Sequence, residues 1–167
     1  MAITVRRATS ADTTRLAELR YEFRAGRAET TESRDTFLRR CSEWMERRLA
    51  GTTWRCWVAV RGETIIGHLW LQLIEKVPNP IAEAEWHGYI TNMYVQEAER
   101  GGVGSALLQE ALDWCLTQDI DYIVLWPTTR SRTLYAREGF AATDAVVAPS
   151  CDARVPQLPR LDLRRGR

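Results

Sequence analysis

The run "AERGGVGSALLQEALDWC", Ala98–Cys115, constrains the fold more than any other stretch of the chain. Three glycines in four residues lead into a segment whose Leu107, Leu108, Ala111, Leu112 and Cys115 recur at helical spacing. Glycine is unfavourable inside a helix and suited to places where the backbone turns sharply or approaches a ligand closely. The preceding "WHGYITNMYV" (86–95) has the composition of a strand. A strand, a glycine-rich turn and a helix start in direct succession make an anion-binding device. The first helical turn offers unpaired N–H groups, and the helix dipole adds partial positive charge. A pyrophosphate suits such a turn better than a carboxylate does.

Known phosphate motifs fit only in part. A P-loop needs Lys and Ser/Thr after its last glycine, and this chain has neither there. Gly102-Val103-Gly104 supplies half of a dinucleotide fingerprint, but Leu107 stands where the third glycine belongs. The turn also follows the fourth strand rather than the first. Taken alone, the glycines are equally explained as a tight turn before a helix.

The rest of the chain alternates between two periods. "ITVRRAT" (3–9) predicts a short strand, with Thr9 or Ser10 capping a helix that carries Asp12 in its first turn. Leu16, Leu19 and Phe23 mark that helix, and 24–33 is a polar loop. Ser33 or Asp35 caps a second helix striped by Phe37, Leu38, Cys41, Trp44, Met45 and Leu49 and ended by Gly51. The period then becomes two. Trp54, Cys56, Val58 and Val60 share a face, 61–63 is a hairpin turn, and "TIIGHLWLQLIEKV" is a long second strand. The prolines of "PNPIAEAE" break it before the 86–95 strand. "YIVLW" (122–126) predicts a strand covered on both sides. "SRTLYAREG" (131–139) is a short helix closed by Gly139, and "FAATDAVVA" predicts a further strand. A loop-like end with a last edge strand and a frayed tail covers about 150–167. Hairpins followed by β-α-β units give an α/β (α+β) fold, with a mixed sheet and helices on both faces.

A length of 167 residues with 45% hydrophobic and 27% charged residues suits one domain over 1–167. A net charge of +1 gives no reason to expect nucleic acid or an anionic membrane as partner. The four arginines of "PRLDLRRGR" are expected to be a solvated end. No apolar run reaches membrane-spanning length and no signal core opens the chain, so a cytoplasmic location is expected. Cys41, Cys56, Cys115 and Cys151 are scattered and there are two histidines, so no metal site is expected. Cys41, Cys56 and Cys115 fall on apolar faces as small core residues. His68, mid-strand, is expected to be a hydrogen-bonded core histidine.

Met93-Tyr94-Val95, then Arg100-Gly101-Gly102-Val103-Gly104 before a leucine-rich helix, then Leu134-Tyr135 with Gly139-Phe140, together resemble the GNAT superfamily of acetyl-CoA-dependent N-acetyltransferases. The order of elements is similar over nearly the whole chain. From Met93 to Gly104 this chain is one residue shorter than the usual pattern. Anchoring on the glycines puts Glu99 at the motif arginine. Anchoring on Met93-Tyr94-Val95 puts Arg100 there, which keeps the strand register and sets a cation beside the phosphates.

The resemblance implies a single domain whose mostly antiparallel sheet of six to seven strands splays in the middle. It implies transfer of acetyl from acetyl-CoA to a primary amine by direct attack in a ternary complex, without a metal. The pyrophosphate would lie on Arg100, Gly101, Gly102, Val103, Gly104 and Ser105. The pantetheine arm would pair with Met93, Tyr94 and Val95 as an added strand. An N–H near Met93 or Tyr94 would polarise the thioester carbonyl. Tyr135 falls at the position of a general acid, since a phenol keeps its proton at neutral pH. Ser131 either reaches the cofactor or caps a helix. Glu85 and His87, sharing a strand face with Tyr89 and Thr91, are the candidates for the base.

The acceptor mouth would involve Arg20–Phe23, the loop 24–33 and Glu75–Glu85, with Trp70 and Trp126 as aromatic walls. Trp44, Trp54 and Trp114 are assigned to core packing. Glu75, Glu83 and Glu85 suit a cationic small-molecule amine, or are simply solvated. The other readings are a longer acyl donor, a peptide N-terminal or lysine acetyltransferase, a non-catalytic acyl-CoA-binding module, and a nucleotide-binding oxidoreductase domain. Homodimers are common among proteins that the chain resembles.

Overall fold

One tight turn and one longer loop lay out the centre of the molecule. A computed structural model describes residues 2–25, 29–120 and 122–142. β2 (Trp54–Arg61) turns through Gly62, at φ 61°, into β3 (Thr64–Glu75). β3 returns antiparallel to β4 (Trp86–Val95) after the proline-containing loop. β1 (Ile3–Arg7) pairs antiparallel with β2, and β5 (Ile123–Leu125) pairs parallel with β4. The described residues thus form a mixed five-stranded sheet in the order β1-β2-β3-β4-β5.

Helices cover both faces, and the alternation of β2 shows which residues serve each. Trp57 and Ala59 pack with Leu69, Leu71 and Ile90 against Leu107, Leu108 and Ala111 of α3 (Val103–Thr117). Cys56 and Val58 pack with Trp70 against Leu16 and Leu19 of α1 (Thr13–Ala25) and Met45 of α2 (Arg34–Leu49). Ile65–Leu71 is buried throughout, because β3 lies between two neighbours and under helices on both sides. Burying one leucine fully stabilises a fold by about 1.5–3 kcal/mol, so these two clusters dominate its stability.

The expected caps form. Ser33 Oγ accepts from the Thr36 N–H at 3.2 Å. The Thr9 N–H donates to Asp12 Oδ2 at 2.8 Å, and Arg6 holds both Asp12 oxygens at 2.8 Å. α4 (Arg132–Arg137) ends near Gly139, which stands at φ 88°.

Two expectations change. β5 is shorter than 122–126 and only half-buried, and Tyr122 and Trp126 are 42% and 64% exposed. Their rings lie against His87 and Tyr89 of β4, so apolar composition here reflects ring stacking beside the sheet rather than cover on both faces. The sheet has five strands among the described residues rather than six to seven. The strand expected in "FAATDAVVA" and the edge strand and tail beyond it fall largely or wholly outside the described residues.

β4 carries the irregularity that matters most. His68 faces Tyr94 while Trp70 faces Thr91, so Asn92 and Met93 stand opposite the single residue Leu69. This bulge puts Asn92 at φ 51°, a left-handed conformation that asparagine tolerates better than most residues. Beside it a Cβ on Gly67 would lie 2.9 Å from the Tyr94 carbonyl oxygen, so this close approach requires glycine.

Candidate functional site

β4 and β5 pair only from Gly88 to Ile90, and β4 then runs on through Thr91–Val95 without β5. The sheet therefore opens at this point. The gap leads directly to the start of α3, and the two together form a groove of about 490 Å³.

The glycines shape one end of this groove. Gly101 and Gly102 stand at φ 129° and 94°, and a Cβ on either would meet nothing within 4 Å. Their conformation demands glycine, and the space above them is open. Gly104 serves a different purpose, since a Cβ there would lie 3.3 Å from Leu134 Cδ2 of α4. The first helical bond comes from the Ala106 N–H to the Gly102 carbonyl at 3.0 Å. The N–H groups of Val103, Gly104 and Ser105 precede it and have no helical acceptor.

Three guanidinium groups surround the turn. Arg100 and Arg130 meet on Glu97 at 2.6 and 3.3 Å, and together they hold its carboxyl below the usual range. Arg137 Nη2 donates to Ser105 Oγ at 2.5 Å. Glu99 turns the other way and forms an ion pair with Arg61 at the end of β2. Arg100, not Glu99, is therefore the side chain facing the groove. Open glycines, free helix N–H groups and three arginines suit a diphosphate. The exposed edge of β4 suits an extended, amide-bearing arm.

Most of the candidate residues converge here. Met93, Tyr94, Val95, Arg100, Gly101, Gly102, Gly104, Ser105, Ser131 and Tyr135 all line the one groove. Val103 is not among the lining residues; it is 1% exposed and packs in the core. Ser131 Oγ donates to the Thr128 carbonyl at 3.1 Å and sits at the start of α4. Tyr135 is 9% exposed, with its ring edge-on to Phe140 at 5.7 Å. Burial pushes its phenol above the ordinary value of 10.

Glu85 and His87, the candidates for the base, are not brought to the groove, although Tyr89 and Thr91 of the same strand face line it. Glu85 is exposed and precedes β4, where its carbonyl accepts from the Lys76 N–H at 2.8 Å. The His87 ring lies 5.1 Å from Tyr122. Six residues of strand, about 20 Å, separate His87 from Met93. The Glu75–Glu85 loop is at that same far end, with Glu83 held by Lys76 at 3.3 Å and by Asn79.

His68 also departs from expectation. It is fully buried, and neither ring nitrogen makes a well-formed hydrogen bond among the described residues, although the Asn92 main chain lies close to the ring. Burial, and then the Arg20 charge, lower its pKa to about 3 against a weaker opposing pull from the Asn92 main chain.

A second cavity, of about 430 Å³, lies between the sheet and α1–α2, and Arg20, Thr91 and Asn92 line both spaces. Its rings are Phe37, Trp44, Trp54 and Trp70. Trp44 and Trp54 pack on the α1–α2 core as their apolar stripes predict, and their rings also border this cavity; Trp70, expected as a wall, is 1% exposed within the same cluster. Arg130, Arg137 and Asn92 were missed. Only the arginine density of "TTRSRTLYAREG" hinted at the first two.

The splayed sheet, bulged fourth strand and glycine-opened helix define an acetyltransferase-type α/β domain. Residues 15–140 match the model of the acetyltransferase (GNAT) family, and the chain belongs to that family. A GCN5-related N-acetyltransferase from Ralstonia eutropha JMP134 is similar in structure at a TM-score of 0.72 and 25% identity. That likeness covers 89% of this chain and 98% of the other. A predicted acetyltransferase from Clostridium acetobutylicum, solved with acetyl-CoA, has a TM-score of 0.73 at 23% identity, covering 88% and 95%. An aminoglycoside acetyltransferase from an uncultured soil metagenomic sample, in complex with sisomicin, has a TM-score of 0.66 at 17% identity, covering 87% and 93%. No curated protein matches the chain. No helix among the described residues is long and apolar enough to cross a membrane.

Proposed function

We propose that the protein is an acetyl-CoA-dependent N-acetyltransferase acting on a small primary amine. One observation carries this reading. The opened edge of β4, the glycine-freed start of α3 and the Tyr135 phenol all border a single groove.

Acetyl-CoA supplies an activated acyl group as a thioester. Arg100, Arg130 and the first N–H groups of α3 neutralise its diphosphate. The main chain of Met93–Val95 orients the arm, and an N–H at the bulge polarises the carbonyl, where charge builds as the amine adds. Tyr135 donates its proton to the departing sulfur, and its raised pKa keeps that proton in place at neutral pH. No carboxylate or histidine lines the groove among the described residues. The amine proton therefore leaves through water rather than through Glu85 or His87.

Free-thiol release from acetyl-CoA, followed across a panel of amines, tests this reading. Turnover of at least one amine, slowed about 100-fold in Tyr135→Phe with acetyl-CoA affinity retained, is expected. Acetyl-CoA binding with silence across every amine would instead indicate a non-catalytic acyl-CoA-binding module.

A further inference from the structure

The cavity between the sheet and α1–α2 differs in chemistry from the groove beside it. Trp44, Trp54 and Trp70 pack on one another at centroid distances of 5.2, 5.8 and 6.1 Å, and Phe37 stands on the α2 side. Its charged lining is Arg20 and Arg40, with no carboxylate among the described residues. Glu32 holds Arg40 as an exposed ion pair. Arg20 is different. It is half-buried, donates to Asn92 Oδ1 at 2.6 Å, lies over the Phe23 ring at 5.7 Å, and forms no ion pair among the described residues. Burial and the neighbouring Arg24 charge lower its pKa, a cost that a bound anion would reverse. A second observation is independent. Trp70 is 1% exposed, and its buried Nε1–H has no acceptor among the described residues. Buried donors without acceptors are costly, and this one belongs to a ring in the wall of the cavity.

Building on the acetyl-transfer reading above, we propose that this cavity selects an aromatic α-amino acid as acceptor. The aromatic side chain lies among Phe37, Trp44, Trp54 and Trp70. The carboxylate pairs with Arg20, and the amine reaches the Thr91–Asn92 rim that the cavity shares with the groove. A volume of about 430 Å³ accommodates such a molecule. The ammonium group first gives a proton to solvent. Its nitrogen then attacks the thioester carbonyl carbon, the C–N bond forms and the C–S bond breaks. Nitrogen loses a second proton and sulfur gains one. The products are the N-acetyl amino acid, free CoA and one net proton. Polyamines and aminoglycosides are disfavoured, because two guanidinium groups and, among the described residues, no carboxylate line the cavity.

The test uses the full chain. Acetyl-CoA is titrated calorimetrically, and acetyl transfer is then followed with L-tryptophan, L-phenylalanine, tryptamine, phenethylamine, L-alanine and spermidine. The two aromatic amino acids should exceed their decarboxylated counterparts in kcat/KM by roughly 10- to 100-fold. L-Alanine and spermidine should be poor. Arg20→Gln should erase the preference for the carboxylate and Arg20→Lys should restore part of it. Phe37→Ala should lower the preference for an aromatic side chain and leave the carboxylate preference intact. Equal or better turnover of tryptamine, phenethylamine or spermidine overturns the proposed acceptor while leaving acetyl transfer standing. Failure of the acetyl-CoA-loaded protein to bind or acetylate any aromatic amino acid also overturns it. Absence of acetyl-CoA binding in the first titration defeats the underlying reading, and the acceptor with it.

Discussion

The Arg20 guanidinium donates to the Asn92 side-chain oxygen at 2.6 Å, and Asn92 itself stands at φ 51° in the β4 bulge. One contact thus ties α1 to the point where the sheet opens. It also separates two spaces of different character, a groove with arginines and free N–H groups and a cavity walled by rings.

Asn92→Ala removes the acceptor for Arg20 and places an ordinary residue at positive φ. Equilibrium denaturation should show a loss of about 1–2 kcal/mol. Asn92→Gly relieves the backbone and not the missing acceptor, so it should recover most of the stability and little of the kcat/KM. An alanine variant as stable as the parent would remove the bulge from the list of constrained positions.

The pH dependence of Tyr135 has a definite sign. Its pKa is raised by burial, so the protonated acid persists throughout the range from neutral pH to about 10. A rate profile for the parent should show no loss on the alkaline side below that value. A decline centred near pH 8 in saturating substrate would assign the proton donor to another group.

Much of this geometry was legible in the chain. The glycine turn, the L-Y helix and the switch of period at Gly51 located the groove, because each rests on local backbone chemistry. Glu85 and His87 were misjudged because alternation along a strand shows which face a residue shares and not how far along the sheet the opening lies. Trp44 and Trp54 join the core cluster as their periodicity predicts, and only their part in the cavity went unread. A ring that walls a cavity and a ring that fills a core obey the same periodicity, and only the distance between α2 and the sheet separates them.

Asp12 links the first turn to acid stability. The Arg6 hydrogen bonds, with the Thr9 N–H, lower its pKa to about 2 from 3.8. A depressed carboxylate contributes stability above its unfolded pKa and loses it as pH falls through its folded one. The contribution, at most about 2 kcal/mol and less because Arg6 is half-exposed, should vanish between pH 4 and 2. Asp12→Asn should lower stability at pH 7 and flatten the curve in that window.

His68 acts in a different window. Its pKa of about 3 in the folded chain lies below the ordinary 6.5, so the unfolded chain takes up a proton first. Stability should fall progressively from pH 6.5 toward 3. His68→Leu keeps an apolar side chain of similar size in place, removes two nitrogens without a well-formed hydrogen bond and should flatten this stretch of the profile. An unchanged slope in the leucine variant would mean that His68 does not govern it.

Hydrogen exchange with and without acetyl-CoA addresses the central assignment most directly, since it reads main-chain amides in the unmodified protein. Binding in the groove predicts slowed exchange at Met93–Val95 and at Gly101–Ser105, with little change along Trp86–Gly88. Acetyl-CoA binding that leaves both segments unprotected, or protects only the far end of β4, would contradict it.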